Sequence, residues 1–438
     1  MKKPWPPLAG ERSVARGLDA PLVRSAGALI LSSGVNNGLG FVYWVLAARM
    51  LPVAEVGLGS AAIASAMLVA TISVAGLGQV SGRFIPAAGP RRRSLAHRIQ
   101  AAAATLGAIG GALYLAGSPL WAPHIRGLGL LFPLGTAVLT LFWVQDSVLL
   151  GLGRAVWVPA ISLIFSVAKL ALLGVAVFLL HDPNWHAVVW PWWTAMAACA
   201  ALEAATIERF ARQPVPEAAK PVPSGGELVR FALANHAGTL LLGLPPLPYP
   251  LLALRLRGPK ETAYFYVSWM PVSILLLVGG SVTGAMVAHA AKGDVDVPRL
   301  ARQAARYAAA LVLPGVAFVV VLGRPVLAAF GPEYRHGYPL LVTLAAGAIF
   351  SPVISVYTGL MRLERRLAPI LGLGGFAALL NLGLVWPLVR AFGLAGFGLA
   401  FTAGQAAAAL FVLRHARSSS RRIRPRGGPD QSPLASEP

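Results

Sequence analysis

Apolar runs of twenty or more residues recur along most of this 438-residue chain, and no other feature restricts its folding as much. A run of that length, coiled as a helix, spans ~30 Å of hydrocarbon. Inside lipid every backbone N–H and C=O must find a partner within the protein, and a helix satisfies them within its own segment. The stretch SLIFSVAKLALLGVAVFLL, residues 162–180, holds a single charge, Lys169. Overall the chain is 56% hydrophobic and 12% charged, about half the charge of a soluble domain. The expectation is an all-α polytopic membrane protein.

Twelve spans are predicted, near 25–48, 56–80, 99–119, 127–150, 156–180, 187–206, 229–253, 263–290, 305–323, 338–361, 367–389 and 392–413. The ninth is short for a tilted helix, and the seventh contains LPPLPYP. The first 24 residues are polar and lack the short apolar core and small-residue cleavage site of a signal peptide.

Charge placement gives the orientation. With the N-terminus in the cytoplasm, 28 of the 37 Lys and Arg residues fall on the cytoplasmic side and 8 on the outer side; Lys169 completes the set. Basic residues accumulate on cytoplasmic loops, so both termini are expected inside, at the inner (plasma) membrane. The net charge of +21 is then explained by residues lying beside anionic lipid, and nucleic acid is not an expected partner.

Residues 207–228 form the longest polar break within the membrane region and are Pro-rich. They divide the chain into a cytoplasmic N-terminal segment (1–24), an N-lobe of six spans (25–206), a cytoplasmic linker (207–228), a C-lobe of six spans (229–413) and a basic tail (414–438) expected to be disordered. The halves echo each other. ARMLPVAEVGL follows the first span and LRLRGPKETAY follows the seventh, so Arg49 precedes Glu55 as Arg255 precedes Glu261, by six residues. Six is an even number of spans, so both halves enter from the same side. Their pseudo-twofold axis then runs along the membrane normal, with a cavity expected between two bundles.

Enzyme signatures are absent. No phosphate-binding loop, zinc-protease helix or nucleophile elbow occurs. The lone Cys199 excludes an intrachain disulfide and a cysteine metal cluster. Neither a cofactor nor a metal is expected.

Interest therefore falls on polar residues within spans. Lys169 lies about 13 residues into the fifth, near the midplane, where a charge costs ~2.5–3.5 kcal/mol and usually faces a cavity or a partner. It could meet an anionic substrate, pair with Asp146, or snorkel. Asp146 is some 15 Å shallower at 1.5 Å per residue, and the depth of Lys169 disfavours snorkelling. Asn36 and Asn37 lie mid-span in the first helix, either facing the cavity or bonding between helices. Gln79 and Arg83 end the second span, where Arg83 is a substrate contact or a topology charge. Asn235 and His236 sit near the inner end of the seventh. Asn381 and Gln405 read as packing residues, and Glu203 as solvated. Pro245, Pro246, Pro248 and Pro250 must bend or end the seventh helix. They form either a flexible outer gate or an early cap.

Three stretches carry a resemblance. AARMLPVAEVGL (47–58) is similar to the A-R-x-L-G-P-x-x-F/V-G-x-Y motif of the polysaccharide/oligosaccharide-lipid flippase family, with Leu58 at the aromatic position. FGPEYRHGYPLL resembles that family's F-G-x-x-Y-x-x-A-x-x-x-L motif. NLGLVWPLVRAFGLAGFGLAFTAGQ is similar to its closing pattern of Asn, Leu, Gly and Ala. The likeness spans about 25–413, and the family lies within the multidrug/oligosaccharidyl-lipid/polysaccharide exporter superfamily.

What the resemblance implies is a transporter, not an enzyme, with alternating access around a cationic cavity. Its cargo would be a lipid-diphosphate-linked oligosaccharide moved from inner to outer leaflet for cell-surface polysaccharide. Lys169 would then offset diphosphate charge, and Asn36 or Asn37 would bond sugar or phosphate. Partners would be the lipid-linked glycan, membrane lipids, and a polysaccharide polymerase or glycosyltransferases. Twelve spans, not fourteen, set the chain apart from lipid II flippases. The Asn pair stands where drug/cation antiporters often carry an acid. The competing reading is an exporter of small amphipathic drugs or metabolites.

Overall fold

The computed structural model describes residues 37–179, 183–214, 224–243, 247–290, 296–364 and 366–422, and among these every regular element is helical. In chain order they are α1 (37–50), α2 (Val53–Ser73), α3 (Leu77–Phe84), α4 (Arg92–Gly117), α5 (Leu131–Gly151), α6 (Trp157–Gly174) and α7 (His186–Ala211). There follow α8 (Gly225–Gly243), α9 (Tyr249–Arg257), α10 (Pro259–Ala290), α11 (Val297–Phe330), α12 (Tyr338–Ala348), α13 (Ser351–Leu363), α14 (Leu367–Phe392) and α15 (Ala395–Arg422). Among the described residues eight helices are long and apolar enough to cross a membrane, or nine if α12 and α13, bent by 41°, form one span. The sequence reading of twelve spans also counts α1, α7 and the pair α8–α9. "Outer" below means the end at residues 49–52, the side with few basic residues.

Several spans differ from the sequence expectation. The second is broken, because Ala75 (φ 44°) and Gly76 (φ 78°) take left-handed backbone between α2 and α3, a region that disfavours a residue with a Cβ. The ninth is not short: α11 runs 34 residues. Its first turns are amphipathic, with Ala301 and Ala304 buried and Arg299, Arg302 and Arg306 exposed, so a hydropathy reading stops before the helix does. Similarly α15 continues to Arg422, past the 414 boundary where a disordered tail was expected. The seventh span is interrupted as its prolines require. Pro248 caps α9 and Pro250 sits in its first turn, where a missing N–H costs nothing; Pro245 and Pro246 lie outside the described residues.

Small residues let helices approach closely, as membrane packing requires. Thr136 Oγ1 of α5 donates to Gly107 O of α4 at 2.9 Å, and a Cβ on Gly111 would run into the Thr136 side chain. The two halves meet along α2 and α10. A Cβ on Gly57 would strike the Pro259 carbonyl, so the backbones touch at the outer end. Arg49 reinforces that closure from α1, donating through Nε to Ala329 O at 2.8 Å and through Nη2 to Ala328 O at 3.1 Å, at the end of α11. Glu55 instead accepts from Trp185 N at 2.8 Å. In the matching stretch of the second half it is Arg257, not Arg255, that pairs with Glu261, at 2.6 Å. The repeated motif thus occupies equivalent junctions but makes different bonds.

Candidate functional site

Lys169 is buried, with 8% of its surface exposed. The lipid-facing side of α6 is marked by exposed Leu163, Ile164 and Val167. At 100° per residue Lys169 points away from them, along the buried stripe of Ile161, Ser166 and Leu173. Snorkelling into lipid is therefore excluded. Its Nζ stands 4.9 Å from the Phe165 ring centroid and 5.4 Å from that of Tyr43. Aromatic faces attract a cation, more strongly when water is excluded. Phe165 comes from the preceding turn of α6, the i−4 neighbour, and Tyr43 from α1. Tyr43 is itself fixed: fully buried, it donates its hydroxyl to Val188 O of α7 at 2.5 Å. Among the described residues no carboxylate forms an ion pair with Lys169. The next residue of α1, Trp44, lies 4.4 Å from Tyr266 of α10. The cation thus sits one side chain from the seam between the halves.

Asp146 is not its partner. It lies beside Glu203, between α5 and α7. Glu203 was expected to be solvated, yet it has no exposed surface. The reason is its register on α7, where Ala200, Glu203 and Ile207 share the buried face. Both Glu203 oxygens and Asp146 Oδ1 lack a hydrogen-bond donor. Next to them Gln145 donates to Gln100 Oε1 at 3.0 Å and to Ala200 O at 3.1 Å.

A third group forms where the halves touch at the inner end. His236 of α8, buried, donates through Nε2 to Ile72 O at 3.1 Å, a carbonyl at the α2–α3 break. A Cβ on Gly76 would collide with the Ala232 carbonyl of α8, so glycine is required there for two reasons, φ and space. Arg83 is exposed, with its guanidinium 4.8 Å from the Phe231 ring of α8 and 5.4 Å from Phe84. Gln79, one turn earlier on α3, is exposed as well. Asn37 is exposed on α1, roughly 9 Å along the axis from Tyr43. Asn36 lies outside the described residues, as does the side chain of Asn235. Asn381 is a packing residue: its Oδ1 accepts from Tyr249 at 3.0 Å and its Nδ2 donates to Ala377 O at 2.7 Å.

The sequence candidates therefore separate into three places: Lys169 with its aromatic rings, the α3–α8 junction with Gln79, Arg83 and His236, and the Asp146–Glu203 pair. Sequence reasoning passed over Tyr43 and Phe165. Phe165 could have been found from its i−4 spacing to Lys169. Tyr43 could not, since only the packing of α1 on α6 brings it there.

Residues 22–202 match the family described as polysaccharide biosynthesis protein. No curated protein matches the chain in sequence. Among solved structures, the chain is similar to a multidrug resistance MATE family transporter of the MOP superfamily in its inward-facing conformation, with a TM-score of 0.69 and 17% identity, over 88% of this chain and 95% of that one. Against the outward-facing conformation the TM-score is 0.58, at 16% identity over 92% and 96% of the two chains. A MOP superfamily transporter from Pyrococcus furiosus, whose reverse-polarity binding pocket was taken to suggest a different function, gives 0.59 at 16% identity, over 92% and 96%. The chain shares the fold of these solved structures. Together with the family match over the first half, it supports a membrane transporter.

Proposed function

We propose that this chain, with a MOP-superfamily fold and a polysaccharide biosynthesis match over residues 22–202, moves a lipid-diphosphate-linked oligosaccharide from the inner to the outer leaflet. It does so by alternating access, for cell-surface polysaccharide, in the plasma membrane with both termini cytoplasmic. The observation that carries the reading is Lys169: a cation at membrane depth, turned away from lipid, held by two aromatic rings and, among the described residues, joined to no carboxylate. A buried cation of this kind lowers the barrier to an anionic headgroup, since charge interactions strengthen where water is scarce. Asn37 at mid-span, and Gln79 and Arg83 at the inner end of the second span, are exposed polar groups available to sugar hydroxyls and phosphate on the way in. The lipid tail stays in the bilayer between the halves. The Pro248–Pro250 break gives the outer part of the seventh span a hinge that can gate release. A glycan polymerase or glycosyltransferases would act before and after this step.

The test uses purified protein in liposomes and a fluorescent short-chain polyprenyl-diphosphate disaccharide. Wild type exchanges the probe between leaflets, Lys169→Ala does not, and Lys169→Arg recovers part of the rate, with thermal melting as the folding control. Equal exchange by all three would show that Lys169 serves structure alone. The fold likeness to multidrug transporters favours a second reading, export of small amphipathic molecules. A wild type inert toward the lipid probe but active on amphipathic dyes would establish it.

A further inference from the structure

Few basic residues lie at the outer end, yet two of them converge on one pocket. Arg324 of α11 and Arg335 of the turn Pro332–Gly337 line a pocket of about 610 Å³, together with Pro325, His336, Tyr338 and Pro339. Arg324 stacks 4.9 Å from the Tyr338 ring centroid, and Tyr338 is anchored by its hydroxyl to Val320 O at 2.8 Å. His336 is held by a 2.8 Å bond from Nδ1 to Glu333 O and stacks on Tyr264. The nearby acid, Glu333, is turned to the Tyr264 hydroxyl at 3.5 Å. Among the described residues neither guanidinium forms an ion pair.

Depth says what kind of anion would fit. Arg324 is six residues before the end of α11, roughly 9 Å below it at 1.5 Å per residue, the level at which headgroups meet hydrocarbon. Gly323 is buried against Leu341 and Tyr338, so Arg324 opens on the α11–α12 cleft beside that seam. Below it on the same face of α11, Val321 and Leu313 are exposed, at 75% and 48%. A cationic fork above an apolar helix face matches a molecule with a phosphate at one end and hydrocarbon at the other. Guanidinium groups bind phosphate in a planar, two-bonded geometry.

We infer that this pocket is a docking site for the phosphate of a membrane lipid in the leaflet at that end. The phosphate sits between Arg324 and Arg335, and the chains lie along Val321 and Leu313. The site is separate from Lys169, and the inference holds whichever cargo the transporter carries. A bound lipid would bridge α11 and the following turn, next to the Ala328 and Ala329 carbonyls that receive Arg49.

The experiment places the full chain in phosphatidylcholine nanodiscs doped with diazirine-bearing phosphatidic acid or diazirine-bearing phosphatidylcholine. Peptide mass spectrometry then locates the crosslinks. Phosphatidic acid should label the stretch 311–341 about fivefold more than phosphatidylcholine, as expected for a charge-assisted, two-bonded contact. The double variant Arg324→Gln/Arg335→Gln should bring it to the phosphatidylcholine level. Arg324→Lys/Arg335→Lys, which keeps charge and guards against a folding defect, should retain an intermediate amount. Equal labelling by both probes, or labelling unchanged in the glutamine variant, overturns the inference. Loss of labelling on adding inorganic phosphate also overturns it, reassigning the pocket to a free anion.

Discussion

At the scale of single residues, two buried titratable groups behave in opposite ways. Lys169 is compensated by aromatic faces, so its charge is tolerated without an acid. Glu203 is not compensated: it has no exposed surface, both its oxygens lack a donor, and Asp146 lies beside it. An unsatisfied buried group costs about 1–3 kcal/mol. Glu203→Gln supplies an amide donor to Asp146 in place of a carboxyl. It should therefore raise stability by about that amount, seen as a higher Tm in the same detergent. A lower Tm would mean that the two acids jointly hold a cation that an amide cannot hold. Tyr43 offers a milder test. Tyr43→Phe keeps the ring beside Lys169 but strands Val188 O, so it should cost roughly 1 kcal/mol while leaving cargo exchange intact. Exchange lost with a normal Tm would show that the hydroxyl itself touches cargo.

Among elements, the broken second span and the α4–α7 contact decide how the inner end is held. Gly76→Ala brings both left-handed strain and a collision with the Ala232 carbonyl, and strain alone costs on the order of 1–3 kcal/mol. The variant should loosen α3 from α8. Hydrogen exchange of the amides in 77–84 and 228–236 reads this directly, and unchanged protection would show the junction to be unimportant. On the inner surface Glu208 of α7 accepts from Arg93 of α4 at 2.5 Å, from Arg212 at 2.6 Å and from His97 at 2.7 Å. Arg93 and then Arg212 hold its carboxyl at about 2. A lowered carboxylate pKa adds stability that is complete above its ordinary value of about 4.3 and is lost as pH falls towards the folded value. The Tm difference between wild type and Glu208→Gln should thus stay constant above that ordinary range and close in the acid range below it. A gap that persists there would mean that Glu208 acts through packing.

For the whole molecule, the contacts that join the two halves are the central feature. Gly57 against Pro259 and Arg49 against Ala328 and Ala329 join the halves at the outer side, and His236 against Ile72 O joins them at the inner side. Arg49 is exposed, so its bonds contribute only about 1 kcal/mol after solvent screening. Removing it as Arg49→Ala should raise the outward-open population roughly fivefold. Spin labels on the outer ends of α2 and α10 would report this as a longer-distance component in double electron–electron resonance. A distribution identical to wild type would place the lock in the glycine contact instead.

The helical class, the long apolar helices and the interruption of the seventh span beside its prolines were legible in the chain. Each follows from local chemistry: hydropathy over a fixed thickness and a missing amide donor. Tertiary structure alone decided the rest. It brought Tyr43 to Lys169 and Glu203 to Asp146, gave Arg49 and Arg257 different partners from equivalent junctions, and gathered Arg324 and Arg335 into one pocket. It also carried α11 and α15 beyond their apolar stretches. The physical reason is common to all of these. Burial and pairing depend on which helix faces which, and that is set by small-residue contacts far apart in sequence, such as Gly57 with Pro259 and Gly76 with Ala232, which leave no periodic trace within any one span.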